Sequence, residues 1–209
     1  MIPLIRPARP EDAPLGVPLL ASTLGDLGCE FFGLGSQERL MRVLEIFFIS
    51  PGHRMSYQIG HIAEVEGTPA GLLMAFPGGH LLRLSLGLVP CILRAYSLNE
   101  RLQLMRVGAR LLSRPGFTLS LEARRDEFYI AHLATHPNFR RQGIASALLA
   151  FAERLAVAGR LFKLALLVAS DNFTAIRLYE KNGFIPQPAR EARPYYLRMV
   201  KFLIERSPQ

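Results

Sequence analysis

Tryptophan is absent from this 209-residue chain, cysteine occurs twice and lysine only three times. Each shortage closes off a class of protein. Cys29 and Cys91 have neither CxxC spacing nor a nearby histidine pair, which excludes a disulfide framework and a cysteine-based metal site. Both read as reduced, partly buried thiols, and no metal is expected. Long apolar runs are also missing. The most apolar uncharged stretch, Leu84–Leu93, is ten residues long and is closed by Arg83 and Arg94, too short to span a bilayer. Met1-Ile2-Pro3-Leu4-Ile5-Arg6-Pro7 lacks the basic start, apolar middle and small-residue cleavage site of a secretory signal. A cytoplasmic protein without a membrane partner is the expectation.

What is present fits a folded chain. Half the residues are hydrophobic and a fifth are charged, so a real core can form and disorder is excluded. Because lysine is limited to Lys163, Lys181 and Lys201, the net charge of +8 is carried by arginine. The arginines are scattered, without a run of five or six and without interleaved aromatics. Nucleic acid is therefore not the expected partner, and an arginine-rich solvated surface accounts for the charge equally well.

Periodicity divides the chain without internal repeats. Ile2–Arg6 reads as a strand and Pro10-Glu11-Asp12-Ala13 as a helix start. Helical spacing then runs through Leu15, Leu19, Leu20 and Leu24. Ser36 is set to cap a helix running to Phe48. Residues 61–65 and 70–76 form a hairpin around Glu66-Gly67-Thr68-Pro69. Residues 77–120 read as a helical insertion, with helical spacing from Leu98 to Leu112, and are too few to hold a core alone. Phe128–Thr135 is β-rich, 141–158 helical, and 161–169 a buried strand. A helix capped by Asp171 or Asn172 ends at Asn182-Gly183, and the last strands are 184–185 and 195–202. The whole chain, 1–209, is expected to be one domain, a mixed α/β sheet covered on both faces.

The chemistry concentrates where strand 128–135 meets the next helix. There Arg140-Arg141-Gln142-Gly143-Ile144-Ala145 forms a glycine-bearing turn at a helix start. Free N–H groups of the first helical turn and the helix dipole favour a diphosphate at such a place. Gly143 lets the backbone approach it, Ala145 is nearly as small, and Arg140 and Arg141 can add charge-assisted contacts. Taken singly the same residues have plainer readings. Gly143 can be a tight connection, Tyr179 a packing tyrosine and Asn172 a helix cap.

Arg-x-x-Gly-x-Ala after a strand, followed by Asn172-x-x-Ala175-x-x-x-Tyr179-x-x-x-Gly183-Phe184, resembles the linked signatures of the Gcn5-related N-acetyltransferase (GNAT) superfamily. The resemblance is close over residues 120–187 and extends to 2–76 by element order. It implies a mostly antiparallel GNAT-type sheet flanked by helices, with the insertion lying before the fourth strand. It further implies that acetyl-CoA is bound, its pantetheine by the backbone of Leu133, Ala134 and Thr135, and its pyrophosphate by the amides of Arg141, Gln142, Gly143, Ile144, Ala145 and Ser146. Asn172 would contact the pantetheine or acyl region, and Tyr179 would protonate the departing thiolate.

The proton-accepting group is not given by the resemblance. Leu167 and Tyr129 stand where different members carry a glutamate. Glu127, two residues before Tyr129, is the candidate base, acting directly or through water. His132 is expected on the opposite strand face and is read, like His136, as structural. The expected activity is direct acetyl transfer to an amine within a ternary complex. The acceptor is expected to be a small molecule rather than a protein. The alternative is a non-catalytic acyl-CoA-binding or regulatory module. A homodimer through residues 195–202 is left open.

Overall fold

The computed structural model describes residues 3–113, 123–187 and 196–203. The helices are α1 (Ala13–Phe31), α2 (Gln37–Ile49), α3 (Leu81–Leu86), α4 (Leu88–Ala95), α5 (Leu98–Leu112), α6 (Ile144–Ala158) and α7 (Phe173–Lys181). Strands β1 (Leu4–Pro7), β2 (Gly60–Val65), β3 (Thr68–Pro77) and β4 (Phe128–Thr135) pair antiparallel in succession. Next to β4 lies β5 (Lys163–Ala169), its parallel neighbour, joined through the α6 crossover that a parallel pair requires. The antiparallel β7 (Tyr196–Phe202) and the short β6 (Ile185–Pro186) complete the order β1-β2-β3-β4-β5-β7-β6.

Apolar cores cover both faces of this sheet. On one face, Leu20, Leu44, Phe47 and Phe48 of α1 and α2 pack against Ile62, Leu72 and Met74, and Cys91, Tyr96 and Leu104 extend that core to the insertion. On the other, Ile144, Leu148 and Ala152 of α6 pack with Leu73, Ile130, Leu166 and Tyr179. The mostly antiparallel mixed sheet and the helical insertion ahead of β4 are as the sequence indicated. The insertion holds three helices rather than the single one read at 98–112, because α3 and α4 follow each other across Gly87 with helical dihedrals. The reading of Arg114-Pro115-Gly116 as its end, and the strand positions of Ile2 and Tyr195, lie outside the described residues.

Several boundaries move for identifiable reasons. Glu66 and Gly67 both have positive φ, 51° and 76°, so this two-residue turn alone reverses the chain. Thr68 and Pro69, read as turn, are therefore the first residues of β3. Ser36 caps α2 as expected, accepting from the Arg39 N–H at 3.2 Å. Helix α1 continues past Leu24 to Phe31 across a break at Gly25 (φ 55°, ψ −150°), a conformation open to glycine.

Gly71 fixes the seat of α6 on the sheet. A Cβ there would stand 2.9 Å from Ile144 Cγ2 and 3.1 Å from the Ala134 carbonyl oxygen. Gly71→Ala should therefore push α6 off β3 and cost about 1–3 kcal/mol by overpacking. A lowered urea midpoint with unchanged slope would show it; an unchanged midpoint would mean that α6 relaxes freely.

Candidate active site

Strands β4 and β5 pair only at Phe128–Leu164, Tyr129–Ala165 and Ile130–Leu166. Beyond Ile130 they part, while β4 keeps its ladder to β3 up to Thr135 and β5 keeps its ladder to β7 up to Ala169. The backbone of Leu133, Ala134 and Thr135 thus presents an open edge toward β5. A register shift between Met74 and Ala75 of β3 makes Ala131 an extra residue in β4. Such bulges bend a strand and raise its twist, which accounts for the parting.

The chain leaves the open end of β4 through a tight sequence of hydrogen bonds. The His136 N–H donates to the Ala70 carbonyl at 2.9 Å, the Phe139 N–H to His136, and the Gln142 Nε2 to the Asn138 carbonyl at 3.1 Å. Arg141 (φ 61°) and Gly143 (φ 81°) are both left-handed, so the expected helix start at Arg141 shifts to Ile144. The first helical bond is Ala147 N–H to the Gly143 carbonyl, at 2.9 Å. Ahead of it the amides of residues 141–146 have no helical acceptor. Left-handed φ at an arginine costs about 1 kcal/mol and concentrates at functional turns. Successive amides in such a turn form a concavity suited to an anion. Around Gly143 a Cβ would meet nothing within 4 Å, so open space lies there.

This turn falls inside the span, residues 26–184, that matches the model of the Acetyltransferase (GNAT) family. The chain belongs to that family. Among solved structures, an N-acetyltransferase from Staphylococcus aureus Mu50 superposes with a TM-score of 0.72 at 27% identity, covering 94% of this chain and 99% of its own. A second acetyltransferase gives 0.65 at 23%, covering 96% and 100%. The PaiA N-acetyltransferase from Thermoplasma acidophilum, solved in complex with coenzyme A, gives 0.55 at 14%, covering 97% and 99%. These last two share the fold. No curated protein matches the sequence.

Other elements of this GNAT chain converge on the same end of the sheet. Asn182 at the end of α7 donates through Nδ2 to Ser146 Oγ at 3.2 Å and to the Leu178 carbonyl at 2.7 Å, tying α7 to the first turn of α6. Asn172 caps α7, its Oδ1 accepting from the Ala175 N–H at 3.1 Å. Tyr179 is buried edge-on against Phe184 in the α6-side core, and burial pushes its phenol up to about 12. The Thr135 Oγ1 is buried without a partner among the described residues. Arg140, Arg141 and Gln142 are exposed on the turn, whereas Ile144 is buried beneath it.

Glu127 is not brought to this end. It precedes β4, eight residues or roughly 25 Å of strand from Thr135. Its fully buried carboxylate pairs with Lys163 at 2.8 Å and with Arg198, and accepts from the Arg124 N–H at 3.0 Å. Burial works against its charge, but these partners together hold its pKa below the ordinary carboxylate value.

The Ala131 bulge changes the place of His132. An even-spaced strand would turn it away from the Tyr129 face; the extra residue returns it to that face, against α1. The Thr23 Oγ1 there donates to the Leu20 carbonyl at 2.7 Å. Its 2.8 Å contact with His132 Nδ1 is then one it accepts, so Nδ1 carries the proton. Nε2 is left as a buried acceptor without a partner among the described residues. Sequence spacing had no signal for this, since nothing in Tyr129-Ile130-Ala131-His132 marks a bulge.

Burial, with Arg54 nearby, lowers the His132 pKa to about 3, and burial lowers that of His53 to about 4. Both are neutral in the folded chain where an unfolded histidine, near 6.5, takes up a proton. Stability is thus undiminished above about pH 6.5 and falls as pH is lowered toward 3–4, with each histidine contributing about 1.4 kcal/mol per pH unit. Urea midpoints should drop between pH 7 and pH 5, and less steeply in His132→Gln; an equal slope in the variant would remove His132 as a source.

Proposed function

We propose that this GNAT-family protein transfers an acetyl group from acetyl-CoA to an amine within a ternary complex. The observation that carries this is the coincidence of the open β4 edge with the left-handed turn at the start of α6. An extended pantetheine arm can pair with Leu133–Thr135 as an added strand would, and the unsatisfied Thr135 hydroxyl offers it a further polar contact. The amides of Arg141–Ser146, the dipole of α6 and the side chains of Arg140 and Arg141 suit the pyrophosphate. The space around Gly143 fits a group that must come against the backbone there. When bound, acetyl-CoA supplies the activated acetyl thioester.

This chain's residues do the rest. An amide of the Leu133–Thr135 edge would stabilise the developing oxyanion. Tyr179, held protonated by burial, gives its phenolic proton to the departing thiolate, while the proton lost by the attacking amine passes to solvent, from which the phenolate is reprotonated. Asn172, with Oδ1 committed to its cap, keeps Nδ2 as a donor for the pantetheine or acyl region. Glu127 holds the β4–β5 junction in this reading, since its carboxylate is ion-paired with Lys163 and Arg198 and accepts from the Arg124 N–H. A small-molecule amine remains the favoured acceptor. The same engagement of Glu127, with Leu167 and Tyr129 in place of acids, supports the second reading, an acyl-CoA-binding module without turnover.

Calorimetric titration separates binding from chemistry. Wild type is expected to bind acetyl-CoA and CoA but not ATP, and Gly143→Glu to lose both while staying folded. Retention of CoA by a folded Gly143→Glu would place the cofactor elsewhere. In a thiol-release screen over amines, Tyr179→Phe should lower turnover about 100-fold or more at unchanged CoA affinity. Equal turnover removes Tyr179 as the acid, and no turnover from any amine with intact CoA binding favours the module.

A further inference from the structure

Helices α3 and α4 carry two apolar stripes, and only one is used. Leu84, Leu88 and Cys91 face the protein and are buried. Leu82, Leu86, Val89 and Leu93 follow the spacing 4, 3, 4, which sets them within an arc of about 60° on the opposite side. They are between 47% and 71% exposed, and Leu98, Leu102 and Met105 repeat the pattern on α5 around its buried Leu104. Seven of the thirteen large apolar side chains exposed among the described residues therefore fall between positions 82 and 105. Exposed apolar residues scattered singly need no account, but a helix apolar on both sides calls for a second partner.

The charges beside these stripes say what kind. From Leu81 to Ser113 the sequence has five arginines and one acid, Glu100. Glu100 is already engaged, by Arg39 at 3.2 Å and by the Ser97 N–H and hydroxyl. Arg101 is bound to the Tyr96 and Leu93 carbonyls. The other four, Arg83, Arg94, Arg106 and Arg110, are exposed and have no acidic partner among the described residues. A second copy placed against this face would bring these four arginines against four more, a repulsive arrangement. The complementary surface is anionic and can receive leucine side chains.

We propose that the α3–α5 face docks on the surface of an anionic phospholipid bilayer. The exposed leucines would enter the headgroup–acyl boundary and the guanidinium groups would bind lipid phosphates, the arrangement of helices that lie in a membrane interface. No helix among the described residues is long and apolar enough to cross a membrane, so the mode is peripheral. The short apolar runs that excluded a spanning segment do not bear on a segment that lies flat.

Vesicle co-sedimentation of the full chain tests this independently of acetyl transfer. Vesicles of mixed phosphatidylglycerol and phosphatidylcholine are compared with phosphatidylcholine alone. Wild type is expected on the mixed vesicles only, with affinity falling as salt is raised. Arg94→Glu with Arg106→Glu should weaken it about 30-fold or more, and Leu86→Glu with Leu93→Glu about tenfold or more. Thermal midpoint and CoA titration confirm that both variants fold. Absence of wild-type binding at low salt overturns the proposal, as does unaltered binding by the folded leucine variant. A wild-type dimer that the leucine variant converts to monomer would also overturn it, giving the face to a second copy. Binding to an acidic helical peptide but to no vesicle would give it to a protein.

Discussion

The parting of β4 from β5 after three residue pairs is the constraint on which the site depends. A parallel pair inside a sheet ordinarily satisfies its backbone groups along its length, and unpaired buried peptide groups are costly. Here Ala131 is inserted opposite the Met74–Ala75 step, and from that point β4 follows β3 alone. The open edge is tolerable only if a ligand or solvent meets it. Because a parallel neighbour demands a crossover, α6 must begin just past that edge. The free amides of its first turn and the free peptide groups of β4 are thus brought together by topology.

The opposite end of the same strand is secured electrostatically. Glu127, Lys163 and Arg198 come from the segment before β4, from β5 and from β7, so one buried carboxylate clamps three neighbouring segments where the sheet is closed. A buried charge needs such partners, and removing one would leave the others uncompensated. A carboxylate held this way is depressed in pKa and engaged at both oxygens, the reverse of what a proton acceptor needs. Strand β4 therefore divides its labour, charge at the closed end and bare backbone at the open end.

How much of this was legible in the sequence follows from how local each feature is. The turn 140–143, the cap at Asn172 and the glycine ending at Gly183 depend on neighbours within a few residues, and residue types announced them. The helix at 36–48 was announced by Ser36 and its apolar stripe. The hairpin was found, though its turn was read two residues too long, because Thr68 and Pro69 resemble turn residues while Glu66-Gly67 already closes the reversal. The bulge at Ala131 was not legible, since it is a property of β3 and β4 together. With it went the facing of His132 and the proton on Nδ1, which depends on Thr23, 109 residues away. The environment of Glu127 was equally hidden, because Arg198 is 71 residues off in sequence.

The two faces of the sheet differ in the same way. On the α6–α7 side, the elements around the open edge come from one contiguous stretch, residues 128–184, which explains why a motif can describe them. On the other side, α1, α2 and the insertion are assembled from distant segments, joined by contacts such as Tyr96 Oη to the Phe32 carbonyl at 2.6 Å and Arg39 to Glu100. These contacts tie the insertion to α1 and α2 without using its outer stripe. Burying Leu88, Cys91 and Leu104 is enough to seat α4 and α5. The outward leucines and exposed arginines add nothing to that seating, so the fold alone does not account for their being apolar and cationic together.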